Sequence, residues 1–155
     1  MIKKIISGAL LFFLYNHVYA QQSRVDSAIA LLNKSNTPKV LDTVTFYAAR
    51  ELIRTAILSD AQINQIEKAA EQFKKGEDED LCYTVKSAVL TSLSVSDKYK
   101  AIDYAKLNIT ELEKSSTPHA DYLAQAFLGS LRLPYRNSDK ITEGFQYYTE
   151  KLNQY

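Results

Sequence analysis

The side chains that most often do chemistry are few in this chain and poorly spaced for it. Past the first twenty residues it holds one histidine, His119, and one cysteine, Cys82. A Ser-His-Asp hydrolase needs its histidine beside a serine presented on a tight, glycine-rich turn. Gly76, Gly129 and Gly144 stand isolated, so neither that turn nor a phosphate-cradling loop is written here. Zinc needs three or four good ligands, more than this histidine and cysteine supply. The acidic run Glu77-Asp78-Glu79-Asp80 lacks the alternating ligands, central glycine and closing glutamate of a calcium loop. It reads as a helix start, with acids at the positive end of the dipole. The sequence thus assigns no catalytic, cofactor-binding or metal-binding residue, implies no cofactor, and gives no reason to expect an enzyme.

Cys82 lies in the apolar run Leu81-Cys82-Tyr83-Thr84-Val85 and is expected to be a small buried hydrophobe. As the sole cysteine it forms no internal disulfide. His119, between Pro118 and Ala120, is expected to be exposed at the second position of a helix. Of 11 tyrosines, Tyr15 and Tyr19 fall in the first twenty residues. Tyrosine buries a ring while its hydroxyl reaches water, so Tyr99, Tyr104, Tyr147 and Tyr148 suit helix packing as well as a binding groove.

The start of the chain reads as a cleavable signal peptide, residues 1–20. Lys3 and Lys4 precede an apolar core from Ile5 to Tyr15, and Val18 and Ala20 are small enough for signal-peptidase pockets. That core is little more than half of the roughly 20 apolar residues a membrane span needs. No cysteine near Gln21 offers a lipid anchor. Losing the two lysines takes the formal charge of +1 to about −1. A near-neutral chain lacks the basic stripe of a nucleic-acid binder, and no membrane insertion of the mature segment is expected.

Residues 21–155 are expected to form one all-α domain. Glycine and proline are scarce and apolar residues recur at helical spacing. The stripes are Leu41, Val44, Ala48 and Leu52; Ile63, Ile66, Ala70 and Phe73; Ile102, Ala105, Ile109 and Leu112; Leu123, Ala126, Phe127, Ser130 and Leu131; and Phe145, Tyr148 and Leu152. Thr37-Pro38 and Thr117-Pro118 each set a capping hydroxyl before a proline, and the acids 77–80 lie midway. Helix starts near 38, 78 and 118 give a repeat of about 40 residues. Ser59-Asp60, Ser96-Asp97 and Ser138-Asp139 mark a second series of starts. The expected elements are a short helix over 24–34 and antiparallel hairpins over about 38–75, 78–114 and 118–155.

Two stretches resemble the tetratricopeptide repeat. Asp97-Lys98-Tyr99-Lys100-Ala101-Ile102-Asp103-Tyr104-Ala105 is similar to its second helix. Ala126-Phe127-Leu128-Gly129 resembles the Leu-Gly step of its first helix, and Glu143-Gly144-Phe145-Gln146-Tyr147-Tyr148 again resembles the second, with Gly144 as the small residue. The match is degenerate: the family period is 34 residues, and Arg132 stands where an aromatic belongs. The resemblance implies a short α-solenoid, close helix approach at Gly129, and a concave face on which Tyr122, Gln125 and Arg132 stand. A leader followed by such repeats resembles the periplasmic front of bacterial sensor histidine kinases. The expected role is therefore a scaffold or sensory region for a protein or peptide partner, or for further repeats of the same chain. The alternative is a self-associating structural protein of the periplasm. Tyr155 falls inside an amphipathic stretch with no polar capping helix after it, so the sequence leaves open a fragment of a longer chain or a free exported protein.

Overall fold

The computed structural model describes Ala20 and residues 22–33, 43–75 and 78–154. Within them the secondary structure is helical: α1 (residues 22–33), α2 (Thr43–Thr55), α3 (Asp60–Lys75), α4 (Glu79–Ser96), α5 (Lys98–Leu112), α6 (Ala120–Ser130), α7 (Arg132–Arg136) and α8 (Ile141–Leu152). Apart from Ala20, the expected leader lies outside the described residues, as does the Thr37-Pro38 start. No described helix is long and apolar enough to cross a membrane.

Some of the helix starts are made by different residues than the sequence pattern suggests. Ser59 does cap α3: its hydroxyl accepts from Gln62 N–H at 3.4 Å while the Gln62 side chain accepts from Ser59 N–H at 3.0 Å, a reciprocal capping box. Asp78 caps α4 through Leu81 N–H. At the next start Asp97, not Ser96, is the cap, accepting from Tyr99 and Lys100 N–H while its own N–H closes α4 on Leu93 C=O. One residue thus ends one helix and begins the next. Ser138 instead holds Lys140 N–H ahead of α8. Thr117 and Pro118 lie in the turn before α6, whose N-cap position falls to His119 without a side-chain bond. Pro134, not foreseen as a breaker, has no N–H to continue α6, and the chain re-forms as the short α7.

α4 is the hub, packing against α2, α3, α5, α6 and α7. It buries Cys82, Tyr83, Val85, Ala88, Val89, Leu90 and Leu93 on several faces, as a helix enclosed by others must. Other neighbours are α5 with α6 and α7, and α7 with α8. The predicted stripes on α3 and α5 are where the sequence put them, with Ile63 half-buried and the rest in the core. On α2 the stripe is rotated. Val44 and Ala48 are exposed and the core residues are Phe46, Ala49 and Ile53, because the Phe46 ring is the one that reaches Phe73, at 5.5 Å between centroids. Ala126 and Ser130 of α6 also face out, and Ala120, Ala124, Phe127 and Leu128 face in.

An internal register relates these elements. A step of 39 residues carries Gln62, Ile66, Ala69, Ala70 and Phe73 of α3 onto Ala101, Ala105, Asn108, Ile109 and Leu112 of α5, all buried. The same step from α5 lands on Lys140, Gly144, Tyr147, Tyr148 and Lys151, of which only Gly144 is buried. Side-chain bonds between these helices span nearly the same distance. Glu67–Tyr104 and Lys106–Glu143 each span 37 residues, Glu113–Lys151 spans 38, and Asp60–Lys100 and Tyr99–Asp139 span 40.

Candidate functional site

Two places concentrate polar or apolar groups beyond what helix packing needs. The first is a buried lysine. Lys86 stands in α4 within the apolar stretch of Val85, Ala88, Val89 and Leu90, and is buried with them. At 4% exposure its ammonium meets Glu71 at 2.9 Å, Glu111 at 3.3 Å and Glu67 at 3.6 Å, with the Tyr83 ring centroid 5.2 Å away. Glu67 in turn accepts from the buried Tyr104 hydroxyl, and the Cys82 thiol lies 3.9 Å from Glu71.

The electrostatics follow from burial and charge. Burial opposes the Lys86 charge, but the Glu71 hydrogen bond and the neighbouring carboxylates outweigh it, and the ammonium titrates above the ordinary lysine range. For Glu67 burial is the larger influence and lifts its carboxyl above the usual value despite Tyr104 and Lys86. Burial also works upward on Glu71, yet there Lys86 prevails and the carboxyl lies below it. The Cys82 thiol is pushed up to about 12 by burial. An amine locked as ammonium and a thiol locked as thiol are poor nucleophiles. This cluster ties α3, α4 and α5 together, and its chemistry is that of a clamp.

The second place is a cleft between α7 and α8 of about 290 Å³, open to solvent. It is lined by Arg132, Tyr135 and Arg136 of α7 and by Ile141, Gly144, Phe145 and Tyr148 of α8. Gly144 makes this shape. A Cβ there would lie 2.7 Å from Cγ and 2.9 Å from Cδ1 of Tyr135, so only glycine lets α8 seat so closely on that ring. Tyr148 is pinned by donating its hydroxyl to Leu128 C=O at 2.6 Å and meets Tyr135 edge-on, with centroids 6.5 Å apart. Burial raises the Tyr135 and Tyr148 phenols above their ordinary value, so they stay neutral near pH 7. Behind them Lys106 bonds Glu143 at 2.6 Å and lies 4.8 Å from the Tyr147 ring centroid.

The residues singled out in the sequence are scattered over these features. Tyr122 is 73% exposed on α6 and Gln125 is exposed beside it, whereas Arg132 belongs to the α7–α8 cleft. His119 is exposed and its Nδ1 lies 2.6 Å from Asp80 Oδ2, across from the first turn of α4. Gly129 does not bring helices together, for an added Cβ would meet nothing within 4 Å. Among the described residues no group of three or more His, Cys, Asp and Glu is arranged to hold a metal ion. Sequence reasoning missed Lys86 and the cleft. A lysine set inside the apolar run from Leu81 to Leu90 is the signal that could have exposed the first; the second needed Pro134 to be read as a helix break. Compared with protein-family models, curated proteins and solved structures, the chain matches none.

Proposed function

We propose that this chain is an exported helical-repeat scaffold, a short tetratricopeptide-like α-solenoid that binds a protein or peptide partner without covalent chemistry, alone or as the sensory region of a larger signalling protein. The supporting observation is the state of α8. On α5 the register positions Ile102, Ala105 and Ile109 are fully covered, and α6 and α7 pack on that helix. One register step on, Ile141 is 47% exposed, and Phe145 and Leu152 on the same helix are 72% and 66% exposed. Of the positions covered on α5, Ile141 stands open here, Tyr148 is half-buried and Gly144 is buried, and exposed apolar groups gathered beside polar ones mark interaction sites. The leader residues carry the export part of the proposal.

The test is a display selection of helical peptides against the protein, counter-screened with Phe145→Asp. Enriched peptides are expected to bind the protein and to lose the variant; peptides indifferent to Phe145, or none enriched, would count against the scaffold. A second reading, self-association in a structural role, draws on the same seam, since Ile141, Phe145, Tyr148 and Leu152 follow one another at helical spacing. Light scattering across a concentration series separates the two: the scaffold is expected to stay monomeric, whereas a dimer abolished by Phe145→Asp would favour self-association.

A further inference from the structure

Resting on the scaffold reading, we propose that the α7–α8 cleft takes an acidic amphipathic helix, its apolar stripe against Ile141, Phe145 and Tyr148 and its carboxylates on Arg132 and Arg136. Three observations lead there. The molecule's own interfaces show the shape of occupant: α4 packs on α3, and α6 with α7 packs on α5, so each earlier second helix is covered by a helix. The third second helix, α8, presents the same register.

Charge identifies the chemistry. Cations at the interfaces between second helices are matched by acids: Lys100 with Asp60, Lys106 with Glu143, Lys151 with Glu113. Arg132 and Arg136 are exposed, share one face of α7 four residues apart, and form no ion pair among the described residues. Two adjacent guanidinium groups beside an apolar cleft suit carboxylates, which they grip bidentately.

The register also separates this occupant from the internal ones. Glu67 and Lys106 occupy one register position and both make polar bonds to the next helix. Phe145 takes that position on α8, so the incoming helix must be apolar there. A second copy of α8 fits less well. Its exposed flank offers Thr142, Gln146 and Thr149, and Glu143 is already held by Lys106, leaving Glu150 as its remaining carboxylate.

Fluorescence anisotropy with two four-turn stapled helical peptides tests this. Both carry the same leucine stripe; one is flanked by glutamates, the other by lysines. The glutamate peptide is expected to bind about tenfold tighter or better, with affinity falling as salt rises. Arg132→Glu with Arg136→Glu is expected to reverse the order, and Phe145→Asp to remove both. These residues are exposed, and circular dichroism checks that the variants keep their helices. Equal binding of the two peptides would overturn the acidic partner while leaving the scaffold standing. Binding of neither overturns the proposal, and if light scattering then shows a Phe145-dependent dimer, the scaffold reading falls with it.

Discussion

The faces of α5 and α8 carry the same register and meet opposite fates. On α5, Ile102 and Ala105 are fully buried, and Lys106 between them and the next turn finds Glu143. On α8, the matching residues are Ile141, nearly half exposed; Gly144, buried against Tyr135; and Phe145, in the open. The middle of the molecule meets its neighbours with ion pairs and phenols as well as hydrophobes. The α8 face is apolar, with cations lent by α7. An interface of fixed partners tolerates buried charge where each group is matched, whereas a surface left open keeps the apolar groups whose burial drives association.

The strongest way to break the comparison is at Lys86. Lys86→Met keeps the length of the side chain and leaves Glu67, Glu71 and Glu111 facing one another. Stripping one partner from a buried ionic cluster costs about 3–5 kcal/mol. The low end is expected, because the three carboxylates are 27%, 42% and 41% exposed and water screens them. Urea unfolding reads this as a lowered midpoint with unchanged slope. A Lys86→Met protein as stable as the parent would mean the carboxylates gain nothing from the ammonium, and the middle would then be held by packing alone.

Gly144→Ala probes the other region. Ala105 shows that the register itself tolerates a methyl group at this position. What forbids it on α8 is the Tyr135 ring, which must move by several tenths of an ångström or force α8 outward. Overpacking of this kind costs about 1–3 kcal/mol. Thermal unfolding is expected at lower temperature, with Tyr148 losing its bond to Leu128. A neutral result would show that α7 shifts freely and that the cleft is a soft feature.

How much of this was legible in the sequence follows from what each signal encodes. Apolar period carried the helices and the α3 and α5 stripes, since both helices bury one continuous side. It failed on α2, where two stripes are apolar and only the contact of Phe46 with Phe73 chooses between them. The Ser-Asp pairs located helix starts correctly, yet the capping group differed at each, because side-chain bonds depend on chain direction as well as residue type. The Phe145-Tyr148-Leu152 stripe was visible as a period, but period cannot tell a buried side from an exposed one. The cleft was invisible for a further reason: it exists only because Pro134 breaks a helix and Gly144 lacks a side chain.

The smallest expected effect tests the tetratricopeptide resemblance itself. In that repeat the glycine of the first helix sits where a second helix presses close, so adding a methyl group there should do harm. Here Gly129 lies in the last turn of α6 with open space beyond its Cα. Glycine within a helix costs up to about 1 kcal/mol relative to alanine, and less near a fraying end. Gly129→Ala is therefore expected to be neutral or to raise the melting temperature by about 1–3 °C. A clear loss of stability would instead mean that something closes on Gly129, restoring the packing that the resemblance implies.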